Sequence, residues 1–266
     1  MNHFKQIGIA AHNYHSVQNK FPLGELYIHR ASLQFFPPGT NEYYAKGWAV
    51  RILPFIEQVA LADLFAIENG IFGIYGPNQI DLGLNRINVL QCPSDPQDEW
   101  IHVGTNANTY TNCPIGICFY KTNAGGAADS VSAWEPGELG QIHSVNGDGM
   151  MLNFNSVRIR DVYDGTSNTL MVGELTGGEP GSNRGLQWVH YNLFTTEFGI
   201  NGPGSIPGDG VFTRTHSDTF SSYHPGGCHF QIADGSVQFI SEFIDANVLD
   251  ALTTRAGGES ISAKDL

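Results

Sequence analysis

Apolar residues Phe4, Ile7, Ala11, Tyr14 and Val17 recur at steps of three and four through NHFKQIGIAAHNYHSVQNKFP. That spacing draws one stripe along an amphipathic helix. It predicts a helix over about residues 2 to 19, with Pro22 beyond it as a stop. No capping residue or polar lead-in precedes the helix beyond Met1 and Asn2, so the expectation is that the chain opens inside a longer helix whose front is absent. A second apolar face runs through GWAVRILPFIEQVALADLF, with Pro54 expected in the first turn of its helix. Residues 70 to 150 mix short apolar runs with Gly and Asn and read as short strands and loops. From residue 150 the pattern sharpens. MMLNFNSVRIRDVYDGTSNTLMVGEL gives two strand-like runs around a polar turn. CHFQIADGSVQFISEFI alternates His229, Gln231 and Ala233 with Phe230 and Ile232, then Val237, Phe239 and Ser241 with Gln238 and Ile240. Asp234-Gly235 between the runs predicts a two-residue hairpin turn. His224, Gly226 and Gly227 precede it as a glycine-rich entry turn, with His224 expected to bond backbone and fix that turn.

Charge narrows the function classes. Lys plus Arg number 13 against 26 Asp plus Glu, for a net charge of −13. Phosphate binding needs basic patches, so nucleic acid is not an expected partner, and neither is an anionic lipid surface. No run is long and apolar enough for a bilayer, which takes about 20 residues, and no secretion signal opens the chain. Glycine, at 32 of 266 residues, points to turns and strands and away from a helical bundle.

Candidate chemistry is sparse. The four cysteines have no C-x-x-C spacing, which argues against a zinc site. Cys113 and Cys118 in CPIGIC could close a small disulfide loop, and Cys92 could reach Cys228; buried thiols are the alternative. His12 and His15 sit on adjacent helical positions, without an acidic or thiol third ligand nearby, and an exposed polar helix face is the plainer reading. Ser221, Ser222, His224 and Asp234 are the residue types of a hydrolase, but no G-x-S-x-G elbow, H-E-x-x-H or phosphate-binding glycine loop accompanies them. Calcium is a candidate ligand. Asp161, Asp164, Thr166 and Asn168 cluster hard oxygen donors in RDVYDGTSNT, against the alternative of a turn bonded to its own backbone. SVNGDG half-resembles an EF-hand start, yet its twelfth position is Asn155, where such a loop needs Glu. No cofactor is required by any of this. Phe35, Phe36, Tyr43, Tyr44 and Trp48 are candidate binding aromatics for a polysaccharide or a protein partner, with core packing as the alternative.

Several segments together carry a resemblance. FKQIGIAAHNYHSVQNKFP resembles the stretch after the membrane helix in a family of prepilin-like proteins abundant in planctomycete bacteria. LQCPSD, IRDVYDGTSNTLMVGE and the final LTTRAGGE are similar to that family's later marks. So is His224, followed after nine residues by Asp234-Gly235. The resemblance implies an α+β, type IV pilin-like or type II secretion pseudopilin-like fold. In it an N-terminal helix, truncated here, packs on an antiparallel β-sheet through Phe4, Ile7, Ala11, Tyr14 and Val17. Residues 1–20 would be the C-terminal half of the helix, 21–150 a variable elaboration, and 151–266 the sheet region with its hairpin, in one globular domain. The implied role is a non-enzymatic structural subunit of the cell envelope. It would be the soluble part of a precursor anchored in the membrane by the missing N-terminal segment, associating with itself or other pilin-like subunits through the helix. An extracellular glycan- or protein-binding module is the alternative, and a hydrolase the third reading.

Overall fold

The structure, a computed structural model, describes residues 1–28, 44–65, 87–94, 120–123, 149–152, 155–174, 193–201, 219–259 and 261. Helix α1 (Asn2–Gln18) ends at Asn19, whose left-handed backbone (φ 56°) turns its N–H back onto the His15 carbonyl at 2.7 Å. Left-handed closure of this kind is a common helix stop. Strands β1 (Glu25–Ile28) and β2 (Tyr44–Gly47) form a small antiparallel ribbon. The expected second helix is broken into α2 (Trp48–Ile52), a 3-10 turn at Leu53–Ile56 that carries Pro54 in its first turn, and α3 (Val59–Leu64). Glu57, at φ 63°, makes the break.

The main sheet contains β3 (Tyr120–Asn123), β4 (Leu170–Glu174), β5 (Leu193–Ile200), β6 (Thr219–Phe220), β7 (Gly227–Ile232) and β8 (Val237–Ser241), in the order β6-β5-β3-β4-β7-β8. The run from β3 to β8 is antiparallel, as expected for an α+β chain. The sheet as a whole is mixed, however, because β5 pairs parallel with both β3 and β6. A further helix, α4 (Ala246–Thr253), was not foreseen; Asp245 caps it by accepting the Asn247 N–H at 2.9 Å. The first of the two strand-like runs expected after residue 150 is reduced to a single bridge between Met151 and Ser156 and a 3-10 turn at Ile159–Asp161.

Two apolar layers cover the sheet. On one side Phe4, Ile7 and Ala11 of α1 pack with Phe21, Trp48, Leu53, Leu61 and Leu90 and with Met171, Val172 and Ala233 of the sheet. On the other, Leu249 and Leu252 of α4 pack with Leu170, Phe220, Phe230 and Ile232. Strand β4 is buried along its whole length. Successive strand residues face opposite sides, but the register shift between Leu170 and Val172 lets the adjacent Met171 and Val172 both join the α1 layer while Leu170 joins the other. The helix approaches β7 closely because Gly8 has no side chain: a Cβ there would meet the Gln231 amide and the Gly235 backbone. Parts of the segment 21–150 thus complete the same core as α1 and supply β3.

The stripe on α1 holds at Phe4, Ile7 and Ala11, which are fully buried, and at half-buried Tyr14, set edge-on to Phe55. It fails at Val17, which is 65 % exposed. Two successive steps of three carry Val17 about 140° around the helix from Phe4. His12 and His15 are neither a metal pair nor a bare polar face. His12 Nε2 bonds the Ala233 carbonyl at 3.0 Å, and His15 Nε2 accepts the Ile159 N–H at 3.3 Å while its ring lies against Phe21.

Burial first, and then the neighbouring His12, lowers the His15 pKa. A folded-state pKa below the unfolded one means the unfolded chain takes up the proton more readily. Stability should therefore be full above about pH 6.5 and decline as pH falls through the lowered folded value. The melting temperature of His15→Gln should fall less than that of the wild type on acidification below that point, and parallel curves would contradict this.

The hairpin differs from expectation in one residue. Ile232 N–H donates to the Ser236 carbonyl at 2.8 Å and Gly235 N–H to the Ile232 carbonyl at 2.9 Å, so the loop has three residues, Ala233, Asp234 and Gly235. Only Gly235 takes a positive φ, at 89°; a two-residue turn of the expected kind would need it at both positions. Asp234 accepts the Ser236 N–H at 2.8 Å, a turn role that Asn can also fill. Gly235→Val should cost about 1–3 kcal/mol through backbone strain, and Asp234→Asn under about 0.5 kcal/mol, both read from chemical denaturation. Equal effects would contradict the loop geometry.

Candidate functional site

Three separate segments end at one place. Strand β4 is apolar until its last residue, Glu174, whose carboxylate is delivered into the protein at 3 % exposure. The 3-10 turn Asn88–Leu90 leads to Gln91 and Cys92; His3 of α1 holds this stretch through the Gln91 carbonyl, at 2.7 Å from Nδ1. The turn before β7 brings His224, and β7 itself brings His229.

Their contacts converge on the carboxylate. His224 Nε2 lies 3.0 Å from Glu174 Oε1, and Cys92 Sγ lies 3.7 Å from the same oxygen and 3.5 Å from His224 Nε2. The other oxygen, Oε2, accepts the His229 backbone N–H at 2.7 Å and faces His229 Nδ1 at 3.3 Å. The two imidazoles meet edge to face, with centroids 4.7 Å apart. His229 has its pKa lowered: burial outweighs the opposing pull of Glu174, and His224 adds to the lowering.

The turn carrying His224 is firmly held. Ser222 Oγ donates to the Gly227 carbonyl at 2.6 Å and accepts the His224 N–H at 3.0 Å. Asn201, at φ 53°, accepts the Ser222 N–H and donates from Nδ2 to Glu242 at 2.7 Å. Ser221 N–H reaches the Glu174 carbonyl. Gly226 takes φ 84°, and Gly227 lies so near the Ile240 carbonyl that a Cβ would collide with it. The His224 side chain therefore does not bond backbone, as the sequence suggested; it points at a buried carboxylate.

The arrangement is not a nucleophile relay. A thiol–imidazole–carboxylate relay uses the two ring nitrogens for two different partners. Here a single nitrogen, Nε2 of His224, faces both the sulfur and the carboxylate.

A family model described as a protein of unknown function (DUF1559) matches residues 1–247. The chain belongs to the DUF1559 family. No curated protein and no solved structure matches it. The matched span of this DUF1559 chain takes in Cys92, Glu174, His224 and His229.

The other residues singled out in the sequence lie elsewhere. Asp234 sits at the far end of β7 from His224, so Ser221, Ser222, His224 and Asp234 do not assemble. Asp164 accepts the Gly257 and Gly258 N–H groups at 2.7 and 2.9 Å and the Thr254 hydroxyl at 3.3 Å. Asp161 accepts the Arg158 N–H at 3.1 Å, and Asn168 donates to the Asp164 carbonyl. Thr166 takes the Asp234 N–H on its backbone carbonyl. Asp164 and Thr166 thus tie the DGTSNT turn to the C-terminal segment and the hairpin, while Asp161 and Asn168 bond backbone within three or four residues of themselves. Trp48 is fully buried and is a core residue, not an exposed binding aromatic. Phe35, Phe36, Tyr43 and the Tyr44 side chain lie outside the described residues, as do Cys113, Cys118 and most of SVNGDG. Cys228 is a buried thiol and not the disulfide partner of Cys92; burial, with Glu174 next, pushes its pKa well up. Sequence reasoning passed over Glu174, whose one signal was a carboxylate closing an otherwise apolar strand.

Proposed function

We propose that this DUF1559 chain is a non-enzymatic, pilin- or pseudopilin-like structural subunit of the cell envelope, the soluble part of a membrane-anchored precursor. The observation that supports it is α1. The helix is laid on the sheet by Phe4, Ile7, Gly8 and Ala11, and turns outward two apolar residues, Ile9 and Val17, at 62 % and 65 % exposure. Helical geometry puts those two within about 80° of each other, on the side opposite Phe4. These are two separate apolar points on an otherwise polar helix face, with exposed Asn13 between them, and in this reading contact with another subunit falls there. No helix among the described residues is long and apolar enough to cross a membrane; the anchor of this reading is a preceding segment, as the prepilin-like resemblance implies.

A photo-crosslinking residue at Ile9, introduced in producing cells, tests the reading. The expected result is protein in the envelope fraction, crosslinked to itself or to similar small subunits. Protein confined to the cytosol and uncrosslinked would contradict it.

A further inference from the structure

We propose that Cys92, Glu174 and His224 form a binding site for a zinc-type divalent cation, with three protein ligands and a fourth position for water. The three donor atoms, one sulfur, one oxygen and one nitrogen, all lie within 4.8 Å of one another. Tetrahedral zinc with ordinary bond lengths sets its ligands about 3.6 Å apart for sulfur to nitrogen or oxygen, and about 3.3 Å for nitrogen to oxygen. The observed separations are 3.5 Å, 3.7 Å and 3.0 Å. Closing on a cation therefore requires shifts of only a few tenths of an ångström.

The donors can turn to a cation without rebuilding the site. In its absence the His224 Nε2–H and the Cys92 thiol both have Glu174 Oε1 as acceptor, at 3.0 and 3.7 Å. A central cation satisfies all three at once: thiolate, imidazole lone pair and carboxylate point inward, and the thiol proton leaves to solvent. Two anionic ligands balance a divalent charge, which suits a carboxylate as buried as Glu174. The mixture of soft sulfur, imidazole and one carboxylate favours zinc over calcium or magnesium.

The surroundings have the form of a metal site's outer layer. The backbone N–H and the ring of His229 hold Oε2 of Glu174, leaving Oε1 for the metal. Ser222 fixes the backbone at His224, and His3 fixes Gln91 beside Cys92. The absence of a C-x-x-C pair in the sequence does not bear on this, since the ligands come from three segments. A cation here would tie the Cys92 turn to the ends of β4 and β7.

The test uses the whole chain, stripped with chelator and titrated with Zn²⁺ and with Co²⁺. The expected result is one equivalent bound, with a near-ultraviolet thiolate-to-cobalt band and four-coordinate visible bands, and protection of one thiol from a thiol reagent by Zn²⁺. Cys92→Ser should lose the thiolate band and His224→Ala should lose tight binding. His229→Ala should retain the site with affinity reduced about 10–100-fold. Circular dichroism of each metal-free variant separates loss of ligand from loss of fold. No stoichiometric binding by the folded wild-type chain, or a thiolate band that persists in Cys92→Ser, would overturn the proposal.

Discussion

Ile7→Asp is expected to leave no cooperatively folding protein. Ile7 is fully buried in the apolar layer between α1 and the sheet. Losing its burial costs about 1.5–3 kcal/mol. A carboxylate in its place must be desolvated without a partner or be protonated, at a cost of several kcal/mol more. Typical domains have only about 5–15 kcal/mol to lose. Ile9→Asp, two residues on and largely exposed, should change stability by under about 0.5 kcal/mol. The pair of variants checks the rotation of the helix as well as its contact. Soluble yield and a thermal melt are sufficient, and an Ile7→Asp protein that melts like the wild type would contradict the placement of α1.

Gly173→Val is the second large effect. Gly173 lies in β4, next to Glu174, where a Cβ would run into the rings of Phe220 and Phe230. Those rings are fully buried and already meet edge to face, with centroids 5.0 Å apart. Close-packed interiors have no room to absorb such an insertion. Overpacking of this kind costs about 1–3 kcal/mol, and the figure should lie at or above the upper end because two rings and the strand must all move. The same displacement would shift Glu174, so the variant should also weaken cation binding. Unchanged stability in urea would show that β4 does not pass between the two layers as described.

What could be read in the sequence was local. The spacing of Phe4, Ile7 and Ala11 marks the buried face of α1 because 3.6-residue periodicity is a property of neighbouring residues. It misplaced Val17 because repeated steps of three drift around the helix. Asp234-Gly235 signalled the hairpin, since positive φ at Gly235 is a local demand; the extra loop residue depended on where Ile232 and Ser236 pair. The helix at Ala246–Thr253 went unseen although Asp245 caps it, because the apolar run before it invited a strand reading.

The site was legible only in pieces. Cys92, Glu174 and His224 are 82 and 50 residues apart along the chain, and no spacing rule joins them. LQCPSD, the end of IRDVYDGTSNTLMVGE and the start of HPGGCHFQIADG each stood out as segments of a resemblance, and the fold brings one side chain from each to a single buried carboxylate. The parallel pairing of β5 was likewise out of reach, since strand partners are chosen by long-range packing that local pattern does not encode.

The central claim, a pilin-like subunit drawn from a membrane-anchored precursor, is tested most directly at the N-terminus of the native protein. Mass spectrometry of the protein from the cells that make it should find a processed, N-methylated residue opening an apolar helical segment of about 20 residues ahead of Phe4. An ordinary secretory cleavage, or a mature protein that starts at Met1, would contradict the claim.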